Sequence, residues 1–438
     1  MPRAHAGRPL PPFKRPRVAE MLRDIVARNR AGAAVAVPSV CSAQPDVLRA
    51  SMLRAEALDR PLVIEATSNQ VNQDGGYTGM TPADFAGFVW GMADDLGVDR
   101  ARLVLGGDHL GPQAWRKLPA EVAMDKARTL VADYARAGFA KIHLDCSEGC
   151  AGEAAQLPDA VTAQRSAELA RVCEEAMPPE GLLYVIGTEV PPPGGARIDE
   201  AGDIPATTPA AAAATLAAHQ GAFEAAGLAE IIPRVAGLVV QPGVEFSPMQ
   251  VHHLPMDRDP GLREVAMSWP GLCLEAHSTD YQHPAAYPRL AALGFAFQKV
   301  GPALTFAYRE ALYALDAALV IAGRAVGLIE VMEEVMQADP GYWQGHYAEG
   351  DRIARHAGLA DRIRYYWPAP KAQAAVAELR ARVSEAPLPD PLLWQVFAPA
   401  VLDRAEALSG PQVQRLIDAQ IQIALDPYFF GDQGGSDD

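Results

Sequence analysis

The stretch Leu103-Val-Leu-Gly-Gly107 with Asp108-His109 after it, a segment of helical period over Val122–Ala137, and Lys141-Ile-His-Leu-Asp145 together read as strand, helix, strand. Both runs are short and largely apolar, which marks strands buried on both sides of a parallel sheet, and the interval between them leaves room for a crossover helix. On that helix Ala123, Ala127, Leu130, Val131 and Tyr134 share one face, which should pack on the sheet. The alternation recurs outward in both directions, with strand-like runs at Ala34–Val40, Leu62–Ala66, Leu182–Thr188, Val235–Gln241, Leu272–His277 and Phe295–Val300. Eight such units predict an α/β chain folded as a (β/α)8 TIM barrel. Local signals agree: Pro82 after Thr81 opens a helix, Gly138 and Gly227 stand where helices should end, and the tract Ala210–Ala218 is a strong helix former.

The alternation stops after about Gly327. Beyond it, helical segments are separated by Pro-rich turns such as Pro387-Leu-Pro-Asp-Pro391, which predicts a helical C-terminal extension. The expected division is a basic, Pro-rich segment at 1–18, the barrel at 19–327, the extension at 328–430 and a flexible Gly-rich tail at 431–438.

The chain has 438 residues, 49% apolar and 21% charged, an ordinary globular composition. Its net charge of −16 disfavours nucleic acid as a partner, because phosphate neutralisation takes clustered cations and no long basic run is present. No run of 18 apolar residues suggests a membrane span, no apolar segment follows the basic start, and the five cysteines form an odd set without CxxC spacing. A cytoplasmic location is therefore expected.

Barrel enzymes carry their chemistry at the C-terminal ends of the strands. Polar residues gather there: Ser39, Glu65 with Asn69 and Gln70, Asp108 with His109, Asp145, Glu189, Gln241, Glu275 with His277 and Asp280, and Lys299. His109 and His277, with Glu189 or Glu275, have the N/O chemistry of a divalent-metal site. Gly106 and Gly107, just before Asp108, read as letting backbone approach a ligand, whereas His143 reads as a core residue. Phosphate is expected at the last two strands, on Ser278, Thr279 and Gly301, with Lys299, Arg362 and Arg364 as added charge. Gly75-Gly-Tyr-Thr-Gly79 reads as a ligand loop. It is not a P-loop, since no Gly-Lys-Ser/Thr follows, which argues against a kinase.

The same segments resemble the GatZ/KbaZ family of class II D-tagatose-1,6-bisphosphate aldolase subunits. The matching motifs include Ile64-Glu-Ala-Thr-Ser-Asn-Gln-Val-Asn-Gln73, Leu105-Gly-Gly-Asp-His-Leu-Gly-Pro112, Val185-Ile-Gly-Thr-Glu-Val-Pro191, Glu275-Ala-His-Ser-Thr-Asp-Tyr281 and Arg362-Ile-Arg-Tyr-Tyr-Trp-Pro368. The resemblance implies a class II aldolase-like barrel and two roles. One is a stand-alone 4-epimerase interconverting D-tagatose 6-phosphate and D-fructose 6-phosphate; the other is a non-catalytic stabilising partner of a catalytic aldolase subunit. It also implies that Asp108-His109 matches an Asp-His pair whose His binds zinc and whose Asp is acid/base, although Glu189 and Val190 stand where the catalytic subunits have a further His. The expected assignment is Asp108 or Glu65 as acid/base, and His109, Glu189 and His277 on zinc, manganese or magnesium. Ser39, Asn69, Gln70, Asp145, Gln241, Glu275, Asp280 and Lys299 would contact substrate. The extension is a candidate surface for homo-oligomer contacts.

Overall fold

The computed structural model describes residues 16–177, 181–187 and 204–431. Among these, eight parallel strands close into a barrel in the order β1-β10-β9-β6-β5-β4-β3-β2. They are β1 (Val37–Cys41), β2 (Leu62–Thr67), β3 (Leu103–Leu110), β4 (Lys141–Leu144), β5 (Leu183–Ile186), β6 (Val235–Val239), β9 (Cys273–Ala276) and β10 (Phe295–Val300). Each coincides with one of the eight expected runs. A small antiparallel pair, β7 (Glu245–Phe246) with β8 (Val251–His252), is inserted after β6. Its members are too short to show a period in the sequence.

The helices form where the local chemistry favours them. Thr81 and Asp84 make a reciprocal capping box at the start of Pro82–Leu96, and Gly138 ends Ala120–Ala137 in the left-handed conformation, φ 93°. The five residues placed on one face of that helix are all buried.

Period-two alternation sends every second strand residue into the barrel, and those residues form layers. The lowest layer is apolar. Val37, Val63, Val104, Leu183, Cys273 and Phe297 pack there against Ala19, Leu22, Ile25 and Val26 of the helix Pro16–Arg30, which closes the N-terminal face. The next layer is ionic. Lys141 on β4 pairs with Glu275 on β9, two strands that are not neighbours, so the contact crosses the interior.

The last helix of the barrel, Pro302–Ile321, is followed by helices from Leu328 onward that fold back on the barrel. Helix Gln412–Leu425 packs on Pro45–Ala57 and on Pro302–Ile321. The ion pairs Arg49–Asp418 (3.0 Å), Arg54–Asp426 (2.5 Å) and Arg380–Asp46 (2.8 Å) join the two regions, and Tyr428 Oη donates to the carbonyl of Thr279 at 3.0 Å. All five cysteines are free thiols. Among the described residues no helix is long and apolar enough to cross a membrane.

Candidate active site

Two strands end on site residues in the same way. β3 runs into Asp108-His109 with His109 at φ 47°, and β9 runs into His277-Ser278 with Ser278 at φ 52°. Left-handed backbone at residues other than glycine costs on the order of 1–3 kcal/mol and is held only by its surroundings. Each residue so held stands at the barrel mouth.

Three imidazoles meet there. The rings of His109, His143 and His277 stand 5.2–5.4 Å apart, centroid to centroid. Each is anchored by a carboxylate: His109 Nδ1 to Asp145 Oδ2 at 2.7 Å, His143 Nδ1 to Asp108 Oδ1 at 2.8 Å, and His277 Nε2 to Glu275 Oε1 at 2.9 Å. At His143 and His277 the carboxylate accepts the ring proton, which fixes the tautomer and leaves the opposite nitrogen with a lone pair, whereas at His109 burial is outweighed by Asp108 and Asp145, which raise the ring toward its charged form. At His143 that nitrogen, Nε2, is buried and has no hydrogen-bond partner.

A buried polar atom left without a partner is costly unless something else satisfies it. One donor atom from each of Asp108, His143, Glu275 and His277 lies within 4.8 Å of the others, a mixed N/O set that fits a divalent metal ion. His109, expected as a ligand, stands beside this group rather than in it. Glu189 lies outside the described residues.

The electrostatics are those of a closed charge cluster. Lys141 Nζ lies 2.6 Å from both Glu65 Oε1 and Glu275 Oε2, while Lys299 Nζ lies 2.9 Å from Glu65 Oε2 and also contacts Asp108 Oδ2. Burial by itself would raise Asp108, but His109, Lys299 and His143 outweigh it and hold the carboxyl well below its ordinary range. Glu275 is lowered in the same way against its burial, chiefly by Lys141. His277 is pushed down to about 3, first by burial and then by the charge of Lys299, so it is neutral. Burial also dominates at Asp280, which is raised to about 6 although Ala303 N and Gly301 N donate to it.

Above the cluster opens a pocket of about 590 Å³. Asp108, His109, His277, Ser278, Asp280, Lys299, Gly301, Asn69, Gln70 and Arg364 line it, which brings together most of the expected residues. Tyr77 and Thr78 of the Gly-rich loop also line it, as do Tyr365, Trp367 and Arg380 of the C-terminal extension. Arg364 has no carboxylate within 4.0 Å among the described residues; its NH2 donates to Tyr365 Oη at 2.8 Å and its guanidinium stacks 4.4 Å over that ring.

Other expectations are corrected. His143 is not a core filler but a member of the cluster, its Nδ1 on Asp108. Gly106 and Gly107 do not clear space for a ligand. A Cβ at Gly106 would fall 2.8 Å from Glu65 Cγ, and one at Gly107 2.4 Å from Leu110 Cδ1, so both glycines serve side chains of the barrel. Gly301 N–H cannot also serve a phosphate, because with Ala303 N–H it already donates to Asp280 Oδ1, at 3.1 and 2.8 Å.

Thr279 Oγ1 donates to the carbonyl of Lys299 at 2.6 Å and faces Tyr428, while Arg362 Nε donates to the carbonyl of Tyr342; neither lines the pocket. Gln241 Oε1 is occupied by Gly243 N and Val244 N, and Ser39 is buried among the strands. Glu65, Glu275 and Asp145 lie beneath or behind the wall.

Lys141, between Glu65 and Glu275, is a residue of the cluster that does not end a strand. Its signal is the alternation Lys141, His143, Asp145, which puts three polar residues on one face of a single strand.

The family described as D-tagatose-1,6-bisphosphate aldolase subunit GatZ/KbaZ-like matches residues 22–433. A crystal structure of a probable tagatose 6 phosphate kinase from Sinorhizobium meliloti 1021 is similar at 46% identity and TM-score 0.82, covering 90% of this chain and 99% of that one. A putative fructose-1,6-biphosphate aldolase from Coccidioides immitis shares 15% identity at TM-score 0.41, over 85% of this chain and 97% of that one.

Proposed function

The chain belongs to the GatZ/KbaZ-like family of D-tagatose-1,6-bisphosphate aldolase subunits, and from that premise we propose that it is itself an enzyme, a 4-epimerase interconverting D-tagatose 6-phosphate and D-fructose 6-phosphate. The observation that carries this reading is the buried cluster of three imidazoles and its carboxylates beneath an open pocket. Ionisable groups placed there cost desolvation and give nothing to a protein that only stabilises a partner. The name of the Sinorhizobium relative suggests a kinase, but the Gly75–Gly79 loop here lacks the Gly-Lys-Ser/Thr that cradles nucleotide phosphates.

In this reading His143, Glu275 and His277 would hold a divalent ion, with zinc, manganese and magnesium as the candidates. When bound, it supplies Lewis-acid polarisation of the ketose carbonyl. Asp108, ionised and on the pocket wall, accepts the C4 hydroxyl proton. The C3–C4 bond breaks, its electron pair passes to the C2 carbonyl to give an enediolate, and a three-carbon aldehyde phosphate is released within the pocket. The aldehyde turns its other face, the C3–C4 bond re-forms and Asp108 returns the proton to O4. Arg364, a cation without a carboxylate partner among the described residues, anchors the phosphate with Ser278.

The test is direct. Purified protein given D-tagatose 6-phosphate with Zn2+, Mn2+ or Mg2+ should form D-fructose 6-phosphate, and no turnover with any of the three ions sinks the reading.

A second reading, accessory subunit of an aldolase, is favoured by one feature. Val320 and Ile321 at the end of helix Pro302–Ile321 are 59% and 63% exposed, and Trp394 on the helix packed against it is 58% exposed. If the chain is inert alone but raises the activity of a co-expressed catalytic subunit, that reading replaces the first.

A further inference from the structure

An unbroken row of contacts crosses the barrel interior. From His277 it passes to Glu275 (2.9 Å), to Lys141 (2.6 Å), to Glu65 (2.6 Å), to Lys299 (2.9 Å), then to Asp108 and on to His143 (2.8 Å). Read from either end the order is imidazole, carboxylate, ammonium, with Glu65 at the centre. Both oxygens of Asp108 and of Glu275 are committed, one to a lysine and one to a histidine.

Lys141 is 1% exposed and does not line the pocket, so it touches no substrate. A barrel interior needs no ammonium for packing, since branched aliphatic side chains fill such layers. Burying one is costly, and two carboxylates at 2.6 Å are what compensate it here. The ammonium therefore has its reason in what those carboxylates do next.

We propose that Lys141 is a positioning residue: by holding Glu275 Oε2 it turns Oε1 toward His277 and fixes that ring as the Nε2–H tautomer, with the Nδ1 lone pair left for the site. This deepens the epimerase reading and rests on it for the part that concerns rate. Without Lys141, Glu65 and Glu275 are left as buried carboxylates with one cation fewer between them, and Glu275 no longer has a fixed orientation. His277 then loses its single tautomer while its own contacts with neighbouring rings remain.

The experiment uses the full chain with 15N-labelled imidazoles, the His277 signals being assigned by their loss in His277→Gln. In the wild type, the two ring nitrogens of His277 should appear widely separated, as one protonated and one bare nitrogen. In Lys141→Met they should move toward a common averaged position, and kcat for epimerisation should fall about 10- to 100-fold with KM unchanged. His277 signals identical to wild type in Lys141→Met overturn the proposal. If that variant does not fold, Lys141→Gln is read by the same spectrum with the same two outcomes. A shifted His277 spectrum in a chain that shows no epimerase turnover supports the positioning role and refutes only the reaction assigned to it.

Discussion

Asp108 makes five contacts at once, one of them from Oδ2 to His109 Nε2 at 3.6 Å. Oδ1 accepts from His143 Nδ1 and from His109 N, while Oδ2 faces Lys299 and, at 3.5 Å, the thiol of Cys41. Replacing it with Asn preserves shape but removes the negative charge and the proton acceptor. Asp108→Asn should lower kcat about 10²- to 10⁴-fold, measured as conversion of D-tagatose 6-phosphate with metal in excess. Asp280 makes a different prediction. Its carboxyl rises from 3.8 to about 6 on folding, so between those values the folded chain binds more protons than the unfolded one. The stability it contributes is full below about pH 3.8 and lost as pH rises through 6, on the order of 3 kcal/mol at most. Asp280→Asn should flatten that part of the curve of unfolding free energy against pH, and an unchanged slope refutes it. At this scale the sequence is legible where a polar residue ends an apolar run, as at Asp108 and His277. It is not legible where the polar residue sits inside the run. His143 and Lys141 look like core filler and a strand-start cation until the strands that face them are in place, because their partners are 35 to 134 residues away in the chain.

A strand carries more than its end. β3 stands between β2 and β4, and Lys141 on β4 reaches Glu65 on β2 past it only because Gly106 has no side chain. Gly106→Ala puts a methyl 2.8 Å from Glu65 Cγ and 2.9 Å from Oε1. The expected outcome is a loss of 1–3 kcal/mol in chemical denaturation, roughly the cost of overpacking, together with loss of turnover. A variant with wild-type stability and rate would show that the close approach is unimportant. All eight barrel strands were legible because burial on both faces keeps each run short and mainly apolar between polar turns, with only isolated polar residues such as Glu65 and Glu275 inside it. β7 and β8 were not, since a two-residue ladder leaves no period to read. The extension was legible as helices and, through Arg364, as one contributor to the pocket, but the wall formed by Tyr365, Trp367 and Arg380 was not. Helical period shows which face is apolar, whereas the surface that receives it is set by long-range pairs such as Arg380 with Asp46.

Taken whole, the molecule is a barrel closed below by an apolar helix, filled in the middle by charged side chains and roofed in part by its own C-terminal extension. If the imidazole cluster binds a divalent ion, the bound ion stabilises only the folded state. At a free concentration one hundred times its Kd, it should raise the unfolding free energy by about 2.7 kcal/mol, read as a higher Tm that a chelator reverses. An unchanged Tm with all three candidate ions would remove the metal from the site. The fold, the barrel mouth and the acid-rich charge balance were all within reach of the sequence. That the net charge of −16 coexists with a pocket carrying Lys299, Arg364 and Arg380 was legible only in principle, because charge sums over the surface while recognition depends on a few side chains. The placement of the extension has one more consequence, which concerns synthesis. Arg364, Trp367 and Arg380 line the pocket, and Tyr428 fastens the chain to the loop after β9. These residues leave the ribosome after the eight strands have emerged. The pocket is therefore completed only after the barrel strands have been made, and a chain cut off after Val300 exposes the imidazole cluster without the wall that would hold a substrate over it.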